Sequence, residues 1–592
     1  MCGIAGIMTR DGSAPPAEVL DALAEALGHR GPDGRGRHVD GDVGLIQTRL
    51  AIIDLETGDQ PIAATGPDGG DAVLVANGEI YNYIETKLDM GRVPFKTRSD
   101  CEVPLQLYLR EDLAFTEQLR GMYAIAIHDR ARGRLVLARD PFGIKPLYFT
   151  QSGAAFAFAS EPQALVRAGL TSARLNPGAR DEVLQMQFSS GRDTPFAGVE
   201  RVLPGETLII EKGRVIGRNR MTPLPEGAPK GIGRSDALMR LDDLLDDAVG
   251  VHQRSDVPYG MFFSGGIDST VLLAMMSRLN ERPVTAFTAG FSGTQVHDER
   301  ALARELAAHL GADHHEVEFG AADFWDLLPE IAAAMDDPAA DYAVLPTYKL
   351  ARAARAAGIK VILSGEGGDE VFAGYGRYRR ATRWRILGGR PMRERGTLEG
   401  LGLLRTEDRA WRSGLAAAED DAQGKGWTPL QRAQAADMAD WLPNDLLIKL
   451  DRCLMAHGVE GRVPFLDPKL AAFGFGLPDA LKVRRGRGKW LLRKWLEKVV
   501  PMSRPFAAKR GFTVPVGEWI VAEGRRLGPL VAAQPGIAEI CRPDAVANLF
   551  RNAGRREMQA AWTLLFYAVW HQHHILGGVP KGGVLEVLGE AV

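Results

Sequence analysis

Cysteine is scarce in this sequence, and long apolar segments are missing. The 592 residues contain four cysteines, at positions 2, 101, 453 and 541. They form no Cys-x-x-Cys pair and no dense framework, so neither a zinc site nor a disulfide scaffold is predicted. No apolar run reaches membrane-spanning length, and no basic region followed by an apolar core opens the chain. We therefore expect a cytoplasmic protein with no membrane partner.

A strong net charge is also missing. The formal charge is −3 at pH 7, from 72 Lys and Arg against 75 Asp and Glu. This balance gives no electrostatic footprint for nucleic acid, so no nucleic-acid partner is expected. The hydrophobic content of 45% is typical of a globular protein, and a chain of 592 residues predicts two or more domains.

The Walker sequence Gly-x4-Gly-Lys-Ser/Thr is absent, which disfavours a kinase or P-loop ATPase, but another glycine loop is present. Phe-Phe-Ser-Gly-Gly-Ile-Asp-Ser-Thr occupies residues 262–270, between a strand-like run at 257–263 and a helical pattern at 270–276. Glycines at such a turn let backbone N–H groups approach a polyphosphate at a helix N-terminus. Asp268 can ligate the accompanying magnesium, and Ser264 and Ser269 offer hydroxyl donors. The loop resembles that of ATP pyrophosphatases; an ordinary serine–glycine turn is the alternative.

The second residue is a candidate nucleophile. If Met1 is removed, Cys2 carries a thiol and a free α-amine whose reference pKa is about 7.7–8.0. The neutral amine can act as general base for the thiol, whose reference pKa is about 8.5. One residue then supplies both nucleophile and base. Taken alone, a cysteine at position two is most often incidental.

The first 165 residues alternate strand-like segments with turns. Strands are predicted at 44–53, 72–76 and 123–127, with a hairpin-like pair at 135–138 and 147–149. Helical patterns occupy 17–27 and 101–110. We expect sheets with helices on their outer faces.

Four motifs in this region resemble the class II glutamine amidotransferases, which are N-terminal-nucleophile glutaminases. They are Cys-Gly-Ile at 2–4, His-Arg-Gly-Pro-Asp-Gly at 29–34, Asn-Gly-Glu-Ile-Tyr-Asn at 77–82 and Ser-Asp-Cys-Glu at 99–102. The resemblance implies that Cys2 attacks glutamine and that Asn77 and Gly78 form the oxyanion hole, a feature worth about 3–4 kcal/mol per donor. The implied glutamine-binding residues are Arg49, Leu50, Ala51, Ile52, Ile53, Asn77, Gly78, Glu79 and Asp100.

The chemistry of these residues suits glutamine, although each also has a plainer interpretation. A guanidinium such as Arg49 pairs well with an α-carboxylate, and Asp100 with the Glu79 backbone would receive the ammonium. Alternatively, Arg49 forms a surface ion pair, Asn77-Gly78 is a hairpin turn, and Asp100 caps the following helix. All four motifs in this order behind Cys2 favour the glutaminase.

Composition suggests a division of the chain. Residues 191–233 are rich in proline, glycine and charge, so we expect a glutaminase domain at 1–215, a linker at 216–233 and a second domain at 234–592. An amphipathic helix is predicted at 237–251. Strands at 283–291, 315–319 and 360–363 alternate with helices at 299–310 and 350–357. This alternation predicts a doubly wound parallel sheet with ligands at the carboxyl ends of its strands.

A second acidic loop, Ser-Gly-Glu-Gly-Gly-Asp-Glu at 364–370, follows the last of these strands. Its carboxylates suit magnesium binding and proton handling, with a solvated acidic loop as the alternative. Together with Asp298-Glu299, Asp337-Pro-x-x-Asp341 and the segments 451–467 and 504–512, it makes almost the whole chain resemble the asparagine synthetase B family. The implied fold is α/β, an αββα glutaminase sandwich followed by a doubly wound ATP-pyrophosphatase domain. A homodimer is implied as well.

The resemblance also implies the second site, with ATP as substrate and Mg²⁺ as cofactor. Glu366 would serve adenylate formation or ammonia deprotonation, and Lys509 would neutralise the α-phosphate. Ammonia from Cys2 would reach an acyl-adenylate through a sheltered passage. The implied ATP-binding residues are Phe262, Ser264, Gly265, Gly266, Asp268, Ser269, Ala289, Ser364 and Gly365, with Asp268 and Asp369 as magnesium ligands.

The acceptor carboxylate is the least specified part. Gly368 stands where the well-known asparagine synthetases have serine, and Lys-Arg-Gly-Phe-Thr-Val-Pro at 509–515 replaces Lys-Glu-x-Phe-Ser-Asp-Gly. We expect aspartate, with another cell-wall, polysaccharide or secondary-metabolite carboxylate as the alternative. A β-lactam synthetase type of relative and a non-catalytic scaffold are disfavoured by the intact reactive residues. Residues 383–430 and the tail after 577 are predicted to be helical packing and a terminal extension.

Overall fold

The computed structural model describes residues 2–294, 299–382, 389–507 and 513–589. Lys509 of the predicted synthetase site lies outside these ranges, as do the rest of segment 508–512 and Asp298 of the Asp298-Glu299 motif. Within the described residues, no helix is both long and apolar enough to cross a membrane.

Two antiparallel sheets face each other in the N-terminal part. Among the described residues, one has the strand order β10-β8-β9-β1-β3-β2 and the other β12-β11-β7-β6-β5-β4. Their strands are β1 Cys2–Thr9, β2 Gly34–Asp40, β3 Val43–Arg49, β4 Ile62–Thr65, β5 Asp71–Ile80, β6 Gly121–Asp129, β7 Arg134–Arg139, β8 Tyr148–Gln151, β9 Ala155–Ala159, β10 Val199–Arg201, β11 Glu206–Glu211 and β12 Arg214–Arg220.

Helices cover the outer faces of both sheets. They are α1 Ala17–Ala26, α2 Tyr83–Asp89, α3 Glu102–Glu111, α4 Pro162–Arg167 and α5 Pro177–Met186. Between the sheets, alternate strand residues such as Ile4, Val75 and Phe158 form one apolar core. On the outside, Leu105 of α3 packs with Ile125 of β6. Burial of both sheet faces confirms the predicted αββα sandwich.

Two details of the strand predictions are wrong. The strand predicted at 44–53 ends at Arg49, and a loop begins at Leu50. The predicted hairpin at 135–138 and 147–149 does not form, because β7 and β8 belong to different sheets. Between them, the Asp140 carboxylate accepts the N–H groups of Phe142, Ile144 and Lys145 at 2.9–3.1 Å, and this turn carries the chain across the sandwich.

The second part is built on a parallel sheet of order β15-β14-β13-β16-β17. Its described strands are β13 Tyr259–Phe262, β14 Thr285–Gly290, β15 Asp313–Glu318, β16 Val361–Leu363 and β17 Glu460–Arg462, and each neighbouring pair is parallel. Helices between these strands confirm the doubly wound prediction. The short β17 lacks an apolar alternation and was not predicted.

The helices of this part continue the numbering. They are α6 Arg234–His252, α7 Ile267–Leu279, α8 Arg300–His309, α9 Ala321–Ala334, α10 Val344–Ala356, α11 Gly368–Val371, α12 Gly376–Ala381, α13 Ser413–Asp421, α14 Pro429–Ala436, α15 Ile448–Met455, α16 Pro468–Gly476, α17 Asp479–Lys482, α18 Trp490–Val499, α19 Val516–Ala522, α20 Gly524–Ala533, α21 Pro535–Ala538, α22 Pro543–Leu549, α23 Arg555–His574 and α24 Val584–Gly589. A π-helical segment, Asp437–Leu447, lies between α14 and α15.

The two segments without motifs differ in part from their predictions. Of the described residues in 383–430, those at 389–409 are irregular, whereas the short turn Ala410–Arg412 and helix α13 are helical as predicted. Gly400 and Gly402 have φ angles of +70° and +68°, which interrupt a helix. The tail after 577 is packed, since Val584 and Leu588 of α24 are fully buried in the main core.

Buried ion pairs join the two parts. Arg30, before β2, bonds both carboxylate oxygens of Asp451 on α15 at 2.8 and 3.0 Å. Arg201 of β10 likewise forms an ion pair with Asp337, and its Nη2 lies 2.6 Å from Asp337 Oδ1. These side chains are almost fully buried, and removing one member of such a pair would leave an uncompensated charge. The contacts therefore fix the orientation of the glutaminase sandwich against the parallel sheet.

Candidate active sites

Cys2 lies at the start of β1, opposite Arg49 of β3. Its Sγ accepts a hydrogen bond from Gln47 Nε2 at 2.9 Å, and its backbone N–H donates to Asn77 Oδ1 at 3.1 Å. Burial raises the pKa of the Cys2 thiol above its ordinary value. The thiol is therefore protonated at neutral pH and needs a base before it can attack a substrate.

Asn77 and Gly78 lie inside β5, so the hairpin-turn interpretation is wrong. A Cβ at position 78 would come within 2.2 Å of the Met122 carbonyl oxygen on β6, so only glycine fits. Asn77 is fully buried, and its Nδ2 has no hydrogen-bond partner among the described residues. A buried donor without a partner is costly, and here it lies on the side chain whose oxygen contacts Cys2. This arrangement suits an oxyanion hole.

Arg49 is itself buried, but it forms an ion pair with Asp59, which lies at the surface. Its Nη1 donates to Asp59 Oδ1 at 2.7 Å, and its Nη2 donates to the Asp54 carbonyl oxygen. The Asp59 side chain is 82% exposed, so a carboxylate ligand could replace it on the guanidinium. The predicted residues Leu50, Ala51, Ile52 and Ile53 follow as a loop beside it.

Asp100 does not cap α3. The helix begins at Glu102 without a side-chain cap, and Asp100 Oδ2 instead accepts the Ile80 N–H at 2.7 Å. Glu79, on the same strand as Ile80, is also buried, and burial raises the pKa of both carboxyl groups. Asp100 is thus held at the end of β5, close to the oxyanion residues, where a cationic amine would relieve its desolvation.

The serine–glycine loop connects β13 to α7 as predicted. Gly265 has a φ of +67°, and Gly266 immediately precedes α7. Ser264 Oγ lies 3.2 Å from Ser269 Oγ and accepts the Gly266 N–H at 3.3 Å. The loop therefore combines glycine backbone, hydroxyl groups and a helix N-terminus at the carboxyl end of a parallel strand.

A cavity of about 300 Å³ opens at this edge of the sheet. The predicted residues that line it are Phe262, Ser264, Gly266, Asp268, Ser269, Ala289, Ser364, Gly365, Glu366 and Asp369. Gly265 is not among its lining residues; a Cβ there would point at Ala303 of α8, so Gly265 shapes the turn. Strands β13 and β16 thus lead the two predicted loops to one crevice, beside Ala289 of β14.

Two lysines of this crevice were missed by sequence analysis. Lys489, just before α18, contacts Asp268 and lies 2.6 Å from Asp369 Oδ1. Although burial opposes its charge, the two carboxylates raise the pKa of Lys489. Lys449 Nζ lies 2.8 Å from Asp341 and 3.8 Å from Glu366. Only the fold brings these lysines to the loops, and their sequence context, an ordinary helix and a helix start, carries no signal for it.

Comparison with known proteins agrees with this architecture. The sequence model of the asparagine synthase family matches residues 240–572, and that of the glutamine amidotransferase domain matches residues 1–220. The chain belongs to the asparagine synthetase family. The family predicted from the motifs is thereby confirmed.

Relatives of this asparagine synthetase family member extend over nearly its full length. A protein of Mycobacterium tuberculosis, provisionally named a glutamine-hydrolysing asparagine synthetase, is 33% identical over 96% of this chain and 97% of its own. Asparagine synthetase [glutamine-hydrolyzing] 1 of Bacillus subtilis is 31% identical over 97% of both chains. Amidase chry2 of Gibberella zeae is 28% identical over 88% of this chain and 90% of its own.

The carboxylates of this family member fit a divalent cation. Asp268 and Asp369 both contact the single ammonium group of Lys489, so their oxygens converge on one point. Carboxylate oxygens are the ligands that Mg²⁺ prefers, usually with phosphate oxygens and water completing the shell. The two residues can therefore hold Mg²⁺ beside the serine–glycine loop.

A short path connects the two candidate sites. Arg462 of β17 lies 3.4 Å from the Glu79 carboxylate, next to the oxyanion residues. The carbonyl oxygen of the same arginine accepts the Ser364 N–H at 2.8 Å, at the start of the acidic loop. Thus β17, which was not predicted, lies between the residues around Cys2 and Asn77 and the crevice that the serine–glycine loop lines.

Proposed function

We propose that this protein is a glutamine-dependent asparagine synthetase. It would hydrolyse glutamine at Cys2, form an aspartyl-adenylate from aspartate and ATP in the second crevice, and transfer the ammonia to it. The observation that carries the proposal is the pairing of sites. Asn77 accepts the Cys2 N–H through its Oδ1 while its Nδ2 has no partner among the described residues, and β17 joins this cluster to the crevice beside the serine–glycine loop. The proposed organisation is a glutaminase domain at 1–215, a linker at 216–233 and a synthetase domain at 234–592, assembled as a homodimer.

The glutaminase half uses the chain's own nitrogen as base. With Met1 removed, the Cys2 nitrogen is an α-amine, held by Asn77 Oδ1 at 3.1 Å. The amine takes the Sγ proton as sulfur attacks the amide carbon, and then donates a proton to the departing ammonia. Asn77 Nδ2 and the Gly78 N–H stabilise the oxyanion, Arg49 binds the α-carboxylate, and water hydrolyses the thioester to glutamate.

The synthetase half activates the acceptor. A carboxylate oxygen of the acceptor attacks the α-phosphorus of ATP and pyrophosphate leaves, while Lys489 and the serine–glycine loop bind the phosphates. Asp268 and Asp369 would hold Mg²⁺, which would supply neutralising charge to the phosphates. Ammonia then attacks the acyl carbon, AMP departs with the acceptor oxygen, and Glu366 accepts the proton released. Lys509 is proposed to neutralise the α-phosphate.

A second acceptor remains a specific alternative. A Cβ at Gly368 would lie 2.6 Å from Asp268 Oδ1, so the serine of the best-known relatives does not fit here without a shift. The crevice therefore differs from theirs beside the reacting groups. One relative, from Gibberella zeae, is named an amidase rather than an asparagine synthetase. Another carboxylate with the same chemistry is the second candidate.

The test is pyrophosphate release from ATP with magnesium and glutamine, comparing aspartate with no acceptor and with a panel of other carboxylates. We expect aspartate-dependent release with one asparagine per pyrophosphate. A Cys2→Ala variant should lose glutamine-dependent product and retain ammonia-dependent product. Glutamine-dependent product from the alanine variant would disprove the nucleophile, and release with a different carboxylate only would replace aspartate as the acceptor.

A further inference from the structure

Three metal-ligating side chains converge outside both active sites. They are His38 and Asp40 of β2 and His128 of β6, and one ligand atom from each lies within 4.8 Å of the other two. The two imidazoles face each other directly, with His38 Nε2 at 3.3 Å from His128 Nδ1. No other such group of three occurs in the described part of the chain.

The strand geometry explains this convergence. Residues 38 and 40 are two positions apart and therefore face the same side of β2, which is an edge strand of its sheet. On β6, alternate residues Ala124 and Ala126 contribute to the core between the sheets, and His128 is the next residue on that face. The imidazole pair therefore spans the gap between the two sheets at the rim of their shared core.

The nitrogen separation matches a metal centre. Tetrahedral Zn²⁺ with Zn–N bonds of about 2.0–2.1 Å places two imidazole nitrogens roughly 3.3–3.4 Å apart. A neutral imidazole presents a nitrogen lone pair to a metal ion. A carboxylate oxygen of Asp40 supplies a third ligand, and water can complete the shell.

Two other interactions use the same ligand atoms and therefore compete with a metal. The rings can share one hydrogen bond, and Arg130 Nε donates to Asp40 Oδ2 at 2.6 Å. The Arg130 and Asp40 side chains are 46% and 39% exposed, so their ion pair is solvated and weak. A ring-to-ring hydrogen bond uses only the two histidines, whereas the observed cluster adds a carboxylate oxygen within 4.8 Å of both ring nitrogens.

We propose that His38, His128 and Asp40 form a binding site for a late first-row divalent metal, with Zn²⁺ the best match, that ties the edge strand β2 to the opposite sheet. Imidazole and carboxylate donors suit this class of ion. Gly34 of β2 lies opposite Arg49, which lies opposite Cys2, and His38 is four residues further along. That spacing is about 14 Å at the rise of an antiparallel strand, so the role is structural rather than catalytic.

The full-length protein, stripped with a chelator, should be titrated with ZnCl₂ by calorimetry in excess magnesium. All variants carry Cys2→Ser so that the nucleophile does not bind zinc. We expect the parent protein, which carries Cys2→Ser alone, to bind one equivalent of zinc. His38→Gln and His128→Asn should each weaken binding more than tenfold, since even second-shell changes cost about 10–100-fold in metal affinity. His315→Gln, in the exposed His315–Asp313 pair, is the matched control and should bind like the parent.

Thermal unfolding and Cu²⁺ electron paramagnetic resonance provide readouts independent of any one variant. Zinc should raise the Tm of the parent and of the His315 variant only, and the Cu²⁺ spectrum should show coupling to two imidazole nitrogens. In the Cys2→Ser background, the His38→Gln and His128→Asn variants should keep the rate of ammonia-dependent synthesis of the parent protein. Absence of zinc binding by the parent, equal affinity in all proteins, or a Cu²⁺ spectrum without nitrogen coupling would overturn the proposal.

Discussion

Replacing Asn77 tests the proposed oxyanion hole at the residue where the structure is most specific. Asn77→Ala removes the buried Nδ2 donor, a loss that typically lowers kcat by about 10²–10³-fold. It also removes the acceptor for the Cys2 nitrogen, and a hydrogen bond of about 0.5–1.5 kcal/mol corresponds to roughly 2–13-fold. We therefore expect glutaminase kcat to fall by about 10²–10⁴-fold, with a smaller change in KM for glutamine.

The same substitution should leave the rest of the protein intact. The unpartnered Nδ2 is already desolvated in the folded protein, so removing it offsets the lost contact to Cys2, and Tm should change little. Glutamate formation measures the glutaminase, and pyrophosphate release with ammonium chloride measures the synthetase. Thr48→Val is the matched control, because Thr48 also bonds a backbone N–H of β1, at Gly3, but from the neighbouring strand β3. A loss below tenfold, or an equal loss with ammonia, would refute the assignment.

Two further predictions concern the synthetase crevice. Lys489→Met should lower acceptor-dependent ATP–pyrophosphate exchange by more than 10²-fold, because it removes the cation between Asp268 and Asp369, while glutamine hydrolysis is retained. The control is Lys469→Met at an exposed lysine, which should leave exchange unchanged. Equal exchange in both variants would contradict a role of Lys489 at the phosphates. Burial raises the pKa of Glu366, and the carboxylate form increases with pH, so the acid limb of synthesis should lie above the ordinary glutamate range near about 4.3. Glu366→Gln should remove that limb from the pH profile of synthesis at fixed free ammonia, and an unchanged limb would exclude Glu366 as its source.

The sequence predicted the parts of the fold that depend on local pattern. The strand–turn–helix around Ser264 and the parallel alternation after it were confirmed, because buried strands and amphipathic helices have distinct periods. The crossing between β7 and β8 was missed, since Asp140 makes its turn through side-chain contacts that no periodicity reports. Likewise, β17 consists of three residues, Glu460–Arg462, with a buried charge on each terminal residue, and reads as no strand.

The candidate sites show a similar division. Motifs located Cys2, Asn77 and the two ATP loops, because glycine turns and reactive residues are recognisable in short stretches. Lys449 and Lys489 could not be predicted, because their place in the site depends on contacts with carboxylates that are distant in sequence, namely Asp341, Asp268 and Asp369. The roles assigned to all these residues remain proposals for the experiments above.

The buried ion pairs at the junction bear on how ammonia could pass between sites. Arg462 and Glu79 meet beside the oxyanion residues, and Lys145 Nζ donates to the Gly461 carbonyl oxygen at 3.3 Å. These groups come from both parts of the chain and are buried, so water is limited where the parts meet. Shelter from solvent at this junction is what we propose for the transfer of ammonia between the two sites.

The most direct test of the central claim follows one oxygen atom. Acceptor labelled with ¹⁸O in its reacting carboxylate should be incubated with ATP, magnesium and glutamine, and the AMP analysed by ³¹P NMR. Formation of an acyl-adenylate predicts one ¹⁸O in each AMP, because the attacking carboxylate oxygen stays on the α-phosphorus when ammonia displaces AMP. Amide product accompanied by unlabelled AMP would contradict the proposed mechanism.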